Sequence, residues 1–204
     1  MLDLGAGTGK LTRVLVERYS HVIAVEPLDG MREVLERVVP AAESLAGAAE
    51  SIPVADDSAD GVFAASAFHW FANDDAIREV ARVLRPGGVF AVVWNETIDP
   101  SPLPEPYVAR TQALFEEVRQ DADLEENRFD VIARGPFGEL HEAAVEHEQR
   151  QTRDLTLSFL RSISVVAKLP PEEREALMAE LGALLPEGEY VFRIRAVARW
   201  AVRT

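Results

Sequence analysis

The densest run of residue types capable of site chemistry opens the chain: Asp3-Leu4-Gly5-Ala6-Gly7-Thr8-Gly9, followed by Lys10. Glycines at alternate positions let a backbone turn tightly and approach a ligand without Cβ interference. A second acid, Glu26, stands 23 residues after Asp3 and closes an apolar run. A third group is Ser66-Ala67-Phe68-His69-Trp70-Phe71, where a histidine that can exchange a proton near neutrality sits among aromatics.

The spacing of the turn separates its ligands. A Walker A loop needs four residues between its first glycine and Gly-Lys, then Ser or Thr; Gly5 to Gly9 encloses three, and Leu11 follows Lys10. The dinucleotide fingerprint G-x-G-x-x-G requires a glycine at position 10, where Lys10 stands. Asp3, an acid just inside the turn, fits a pyrophosphate poorly. It fits a ligand with an α-amino group, as in the methionine half of S-adenosylmethionine. Glu26 at a strand end can accept hydrogen bonds from both ribose hydroxyls, or else simply favour the dipole of the helix that follows.

These groups need a frame, and the first hundred residues supply one by alternating short apolar runs with amphipathic stretches. Strands are predicted at 1–4, 21–25, 44–48, 61–67 and 89–94. Helices carry Leu11, Val14, Leu15 and Arg18, then Met31, Val34, Leu35 and Val38, then 74–84, with Arg85-Pro86-Gly87-Gly88 as a stop. Residues 53–60 read as a loop. Beyond a proline-rich connection at 99–106, helices are predicted at 107–118, 155–166 and 172–185, and strands at 144–151 and 190–202. Residues 121–138 are polar and carry no assignment. In the last strand Phe192, Ile194, Ala196, Ala198 and Trp200 share one face, and Arg193, Arg195 and Arg199 the other, as on a charge-protected edge strand. The fold class that follows is α/β, a doubly wound, Rossmann-like, mainly parallel sheet with helices on both faces and a C-terminal antiparallel strand. It forms a single domain over 1–204, with a cofactor-binding half (1–96) and a C-terminal half (97–204).

Composition narrows the partners. Of 204 residues, 48% are hydrophobic and 27% charged, which suits a globular core. A net charge of -14 repels phosphate backbones and argues against nucleic acid. Cysteine is absent and the four histidines are scattered, so no metal site is expected. No apolar run reaches the ~20 residues of a membrane span, and a cytoplasmic protein with no membrane partner is expected. Self-association is left open.

LDLGAGTGKLT, AVEPLDGM, GAAESIPVADDSADGV, ASAFHWF and EVARVLRPGGVFAVVWNE resemble, in order, the motifs of small-molecule class I S-adenosylmethionine-dependent methyltransferases of the ubiquinone-biosynthesis and trans-aconitate type. The resemblance covers about residues 1 to 96; FLRSISVVAKLPPEER and YVFRIRAVARW resemble the C-terminal part of some bacterial members. It implies S-adenosylmethionine as cofactor, with Asp3 near its amino group, Gly5, Ala6 and Gly7 along the methionyl and ribose edge, and Glu26 on the ribose. Pro27 and Met31 would pack near the adenine. Ala48 replaces the family's usual acid, leaving adenine contact to the Ala49 backbone and to Glu50. Ser66 would border the methyl donor, and His69 is the candidate base if the acceptor must lose a proton.

The reaction expected is methyl transfer to a small-molecule acceptor; a catalytically silent S-adenosylmethionine-binding protein and, less well matched, an NAD-dependent oxidoreductase are the alternatives. Family members carry helices before the first strand, so a start site misplaced downstream of a natural N-terminal segment is also expected.

Overall fold

Apolar runs of three to seven residues, most of them followed by a helix, build a sheet whose central strands are buried between crossovers. The computed structural model describes residues 1–98, 101–118, 129–167 and 169–204. In chain order the first elements are β1 (Leu2–Leu4), α1 (Lys10–Val16), β2 (Ile23–Val25), α2 (Asp29–Val38), β3 (Glu43–Leu45) and β4 (Ala59–Ala65). A 3-10 turn (Phe68–Trp70), α3 (Asp74–Val83) and β5 (Leu84–Ile98) follow. The remainder comprises α4 (Glu105–Val118), α5 (Asp130–Arg134), β6 (His141–Thr152), α6 (Arg153–Ser162), α7 (Ser164–Ala167), α8 (Pro171–Leu184) and β7 (Glu189–Val202). The seven strands run β3-β2-β1-β4-β5-β7-β6, parallel from β3 to β5, with an antiparallel C-terminal strand. This is the Rossmann-like sheet expected.

Two compact units divide the chain: Met1–Asn95 with Leu124–Ala144 and Ala196–Thr204, and Glu96–Asp123 with Val145–Arg195. The first unit packs Leu2, Leu4, Val25, Val62, Ala64, Phe68, Ile77, Val80 and Phe90 into one core. The second has its own, around Tyr107, Leu114, Leu160, Val166, Leu181 and Leu185. α3 shows how local chemistry sets an element. The Asn73 side chain accepts from the Ala76 amide at 2.9 Å, Asp74 and Asp75 complement the dipole of the first turn, and Ala76, Ile77, Val80, Ala81 and Val83 form the buried face.

Four expectations are corrected. Arg85-Pro86-Gly87-Gly88 does not separate α3 from β5 but belongs to the strand, because the pairing shifts between Ala59↔Leu84 and Gly61↔Val89 and a bulge takes up the extra residues. Gly87, at φ 80°, gives that bulge its left-handed step. The final strand is not an edge: β6 lies outside β7. Its two-face alternation holds through Phe192 and Ile194, but Val197 and Ala201, placed on the arginine face, are buried, because packing there covers both sides. The helix predicted over 155–166 is broken at Ile163 into α6 and α7. Within the unassigned 121–138, residues 121–128 lie outside those described and 130–134 form α5.

Candidate functional site

β1 ends at Leu4 and the chain turns through Gly5 and Gly7 at φ 68° and 57°, with Gly9 at φ 84° capping α1. The Gly5 and Ala6 amides both donate to the Val25 carbonyl, at 2.9 and 3.1 Å, which ties the turn to the end of β2. A Cβ on Gly5 would stand 2.8 Å from the Ala67 Cβ. The turn therefore touches the segment after β4 at a distance only glycine permits. A Cβ on Gly7 would meet the Met31 sulfur at 3.9 Å, so Met31 borders the turn.

Asp3 and Glu26 are buried carboxyls in a largely apolar core. Asp3 Oδ2 accepts from the Thr12 hydroxyl at 2.6 Å, pinning α1 to β1, while Asp3 Oδ1 is buried with no hydrogen-bond partner among the described residues. Burial pushes the Asp3 carboxyl up to about 6, against the pull of the Thr12 hydrogen bonds and with a contribution from the nearby Glu26 charge. Glu26 Oε2 accepts from the Gly7 amide at 2.8 Å and Oε1 from the Leu28 amide at 3.0 Å. Each carboxylate oxygen can accept more than one hydrogen bond, so both keep capacity for a ligand donor. Arg32 fixes the same corner by donating to the Glu26 carbonyl at 3.1 Å and to Asp29 at 2.6 Å.

Ser66 adopts φ 52°, a left-handed conformation rare for a residue with a side chain, and its amide donates to the Val93 carbonyl at 2.8 Å. A recess opens there at the C-terminal ends of β4 and β5, lined by Ser66, Ala67, Phe68, His69, Val92, Val93, Trp94 and Phe129. His69 is exposed and packs against Trp70, centroids 4.9 Å apart and ring planes tilted by 43°. Phe68 and Phe71 are buried, whereas Trp70 is 59% exposed and so is not core.

The structure brings Asp3, Gly5, Ala6, Gly7, Glu26 and Met31 together, and Ser66 with His69. Pro27 is exposed one residue beyond Glu26. The Ala49 side chain is buried in the core, and the Glu50 carboxylate accepts from Asn73 Nδ2 at 2.8 Å.

Sequence reasoning missed three contributors. Phe129 lines the recess from a segment without periodicity. Asn73 both caps α3 and holds Glu50. Arg82 donates to the Ile52 and Val54 carbonyls, at 2.8 and 2.9 Å, and to Asp56 and Glu79, both at 2.7 Å, clamping the loop beyond Glu50. Glu79 completes the clamp by accepting from the Ile52 amide at 2.8 Å. The helical spacing of Glu79 and Arg82 was the available signal.

Residues 2–92 match the family described as Methyltransferase domain. A methyltransferase-like protein of Schizosaccharomyces pombe is 35% identical over 184 residues, 89% of this chain and 70% of the relative. A Mycobacterium tuberculosis methyltransferase is 37% identical over 185 residues, 91% of this chain and 72% of the relative. Among solved structures, the fold matches that of geranyl diphosphate C-methyltransferase from Streptomyces coelicolor, in complex with Mg2+, geranyl diphosphate and S-adenosylhomocysteine. That match has a TM-score of 0.55 at 15% identity, covering 100% of this chain and 72% of the other. The expected cofactor class follows from the family, the finer likeness to trans-aconitate enzymes does not, and this chain belongs to the class I S-adenosylmethionine-dependent methyltransferases.

Proposed function

We propose that this protein methylates a small-molecule acceptor seated in the recess at the ends of β4 and β5, and that it works in the cytoplasm without nucleic acid or membrane partners. The observation that carries the reading is the contact of the Gly5 turn with Ala67, because one turn then borders both the Glu26 carboxylate and the recess wall. Support for a small acceptor comes from a recess lined, among the described residues, mostly by apolar and aromatic side chains with Ser66, His69 and the Trp94 indole as its polar groups, and from the charge of -14, which opposes polyanions.

The residues present fit S-adenosylmethionine. Asp3 Oδ1 is an acceptor without a donor among the described residues, suited to an amino group, and the Glu26 oxygens suit two ribose hydroxyls. Gly5, Ala6 and Gly7 would follow the ligand edge, Pro27 and Met31 flank the adenine, the Ala49 backbone and Glu50 bound its far side, and Ser66 borders the transferred methyl. The bound cofactor supplies a methyl group on a sulfonium that carries its own leaving group. What the chain contributes is alignment and the exclusion of water. Phe68, Val92, Trp94 and Phe129 dry the recess. His69 is the group placed to take a proton when the acceptor must lose one.

Calorimetry with S-adenosylmethionine, S-adenosylhomocysteine and NAD, followed by transfer of labelled methyl to a small-molecule panel, tests the reading. Binding of the sulfonium cofactor and transfer to a panel member are expected, with Glu26→Ala weakening binding at least tenfold. Binding without transfer to any member would favour a silent binder. Binding of NAD alone would overturn both readings.

A further inference from the structure

We infer that the acceptor is an anion with an apolar body, recognised with the help of Arg199; this rests on the recess being the acceptor site. In a chain carrying -14, the eight described residues that line the recess include no carboxylate. Instead a cation stands behind its aromatic wall. The Arg199 guanidinium carbon lies 4.4 Å from the Phe129 ring centroid and 5.5 Å from that of Trp94, and both rings line the recess. Arg199 Nε donates to Glu142 Oε2 at 2.7 Å, which orients the fork, and among the described residues its Nη groups make no hydrogen bond. Ring faces occupied by a guanidinium have less negative potential to offer a second cation.

The chemistry points the same way. An acceptor amine is a cation at neutral pH; it must shed a proton before attack and is ordinarily held by carboxylates, which are absent among the described lining residues. An acceptor oxyanion brings its lone pair ready. As its O–C bond forms, the S–C bond breaks, the electron pair of that bond stays on sulfur, and anion and sulfonium both become neutral. No proton has to leave. Charge that disappears along the reaction favours a dry aromatic site over water.

The test is a matched set, phenylacetate, phenylacetamide and phenethylamine, titrated calorimetrically into the S-adenosylhomocysteine-loaded full chain. Phenylacetate should bind at least tenfold more tightly than the other two. Arg199→Ala should erase that preference, Arg199→Lys should retain part of it, and affinity for S-adenosylhomocysteine should change less than twofold in either. A preference for the amine, a carboxylate preference that survives Arg199→Ala, or no binding by any of the three overturns the inference. Because ligand binding is read separately from methyl transfer, a silent binder that still selects phenylacetate would sink only the catalytic reading.

Discussion

In the sheet interior, inside edge strand β3, β1 and β2 contribute three residues each, and Leu2, Asp3, Leu4, Ala24 and Val25 are all buried. At the opposite edge β6 runs for twelve residues, nearly all exposed, and meets β7 through Arg193–Glu146 at 3.6 Å, Arg199–Glu142 at 2.7 Å and Arg150–Glu189 at 3.0 Å. The side chains in those pairs are 34 to 62% exposed. Where burial is complete a single polar atom or missing Cβ carries weight, whereas solvated pairs are screened and individually weak. Of these two regions, the one with the shorter strands is the more tightly constrained, and Asp3 and Glu26 lie within or beside it.

Substitutions in the two regions should differ in effect accordingly. Gly5→Val should be the most severe, since the side chain collides with Ala67 at a positive φ. A loss of about 4 kcal/mol is expected from overpacking plus left-handed strain, with cofactor binding abolished, read by denaturant unfolding and calorimetry.

Asp3→Asn should act in the opposite direction on stability. The carboxyl titrates at about 6 in the folded chain against 3.8 for the free side chain, first because burial disfavours its charge. The native state thus holds its proton more tightly than the unfolded one. Its contribution is fully present below about pH 4 and is lost as pH rises to about 6, by up to about 3 kcal/mol. Asparagine, uncharged throughout, should flatten this part of the pH profile and stabilise the chain at pH 8 while weakening cofactor binding. An Asp3→Asn profile parallel to wild type would remove Asp3 from the account.

Arg82→Ala should cost about 2 kcal/mol, because the Ile52 and Val54 carbonyls and the Glu79 carboxylate lose their donor together. Arg193→Ala, at the exposed end, should change stability by less than about 0.5 kcal/mol. A comparable loss at Arg82 and Arg193 would erase the contrast.

The same contrast governs what could be read in advance. The glycine turn, Glu26 and the parallel strands were legible because tight turns and buried strands restrict residue type at fixed spacing. β5 was shortened in reading because Pro86 and Gly87 punctuate a sequence even when a bulge absorbs them. The place of β7 inside β6 was hidden: arginines facing glutamates on a neighbouring strand look, from one strand alone, like arginines facing water. Asn73, Arg82 and Phe129 escaped for a related reason, since the partners that give them their part in the site, Glu50, Ile52 and Ser66, lie 23 to 63 residues away in sequence.

The two amides donated by Gly5 and Ala6 to the Val25 carbonyl bear on kinetics. They hold the turn by backbone bonds to β2, together with the Gly7 amide bonded to Glu26, so the loop is preorganised and a ligand has little conformational entropy left to remove. Cofactor association at this turn should be one docking step. A stopped-flow trace would show a single exponential whose rate rises linearly with cofactor concentration, without the plateau that a loop-ordering step imposes.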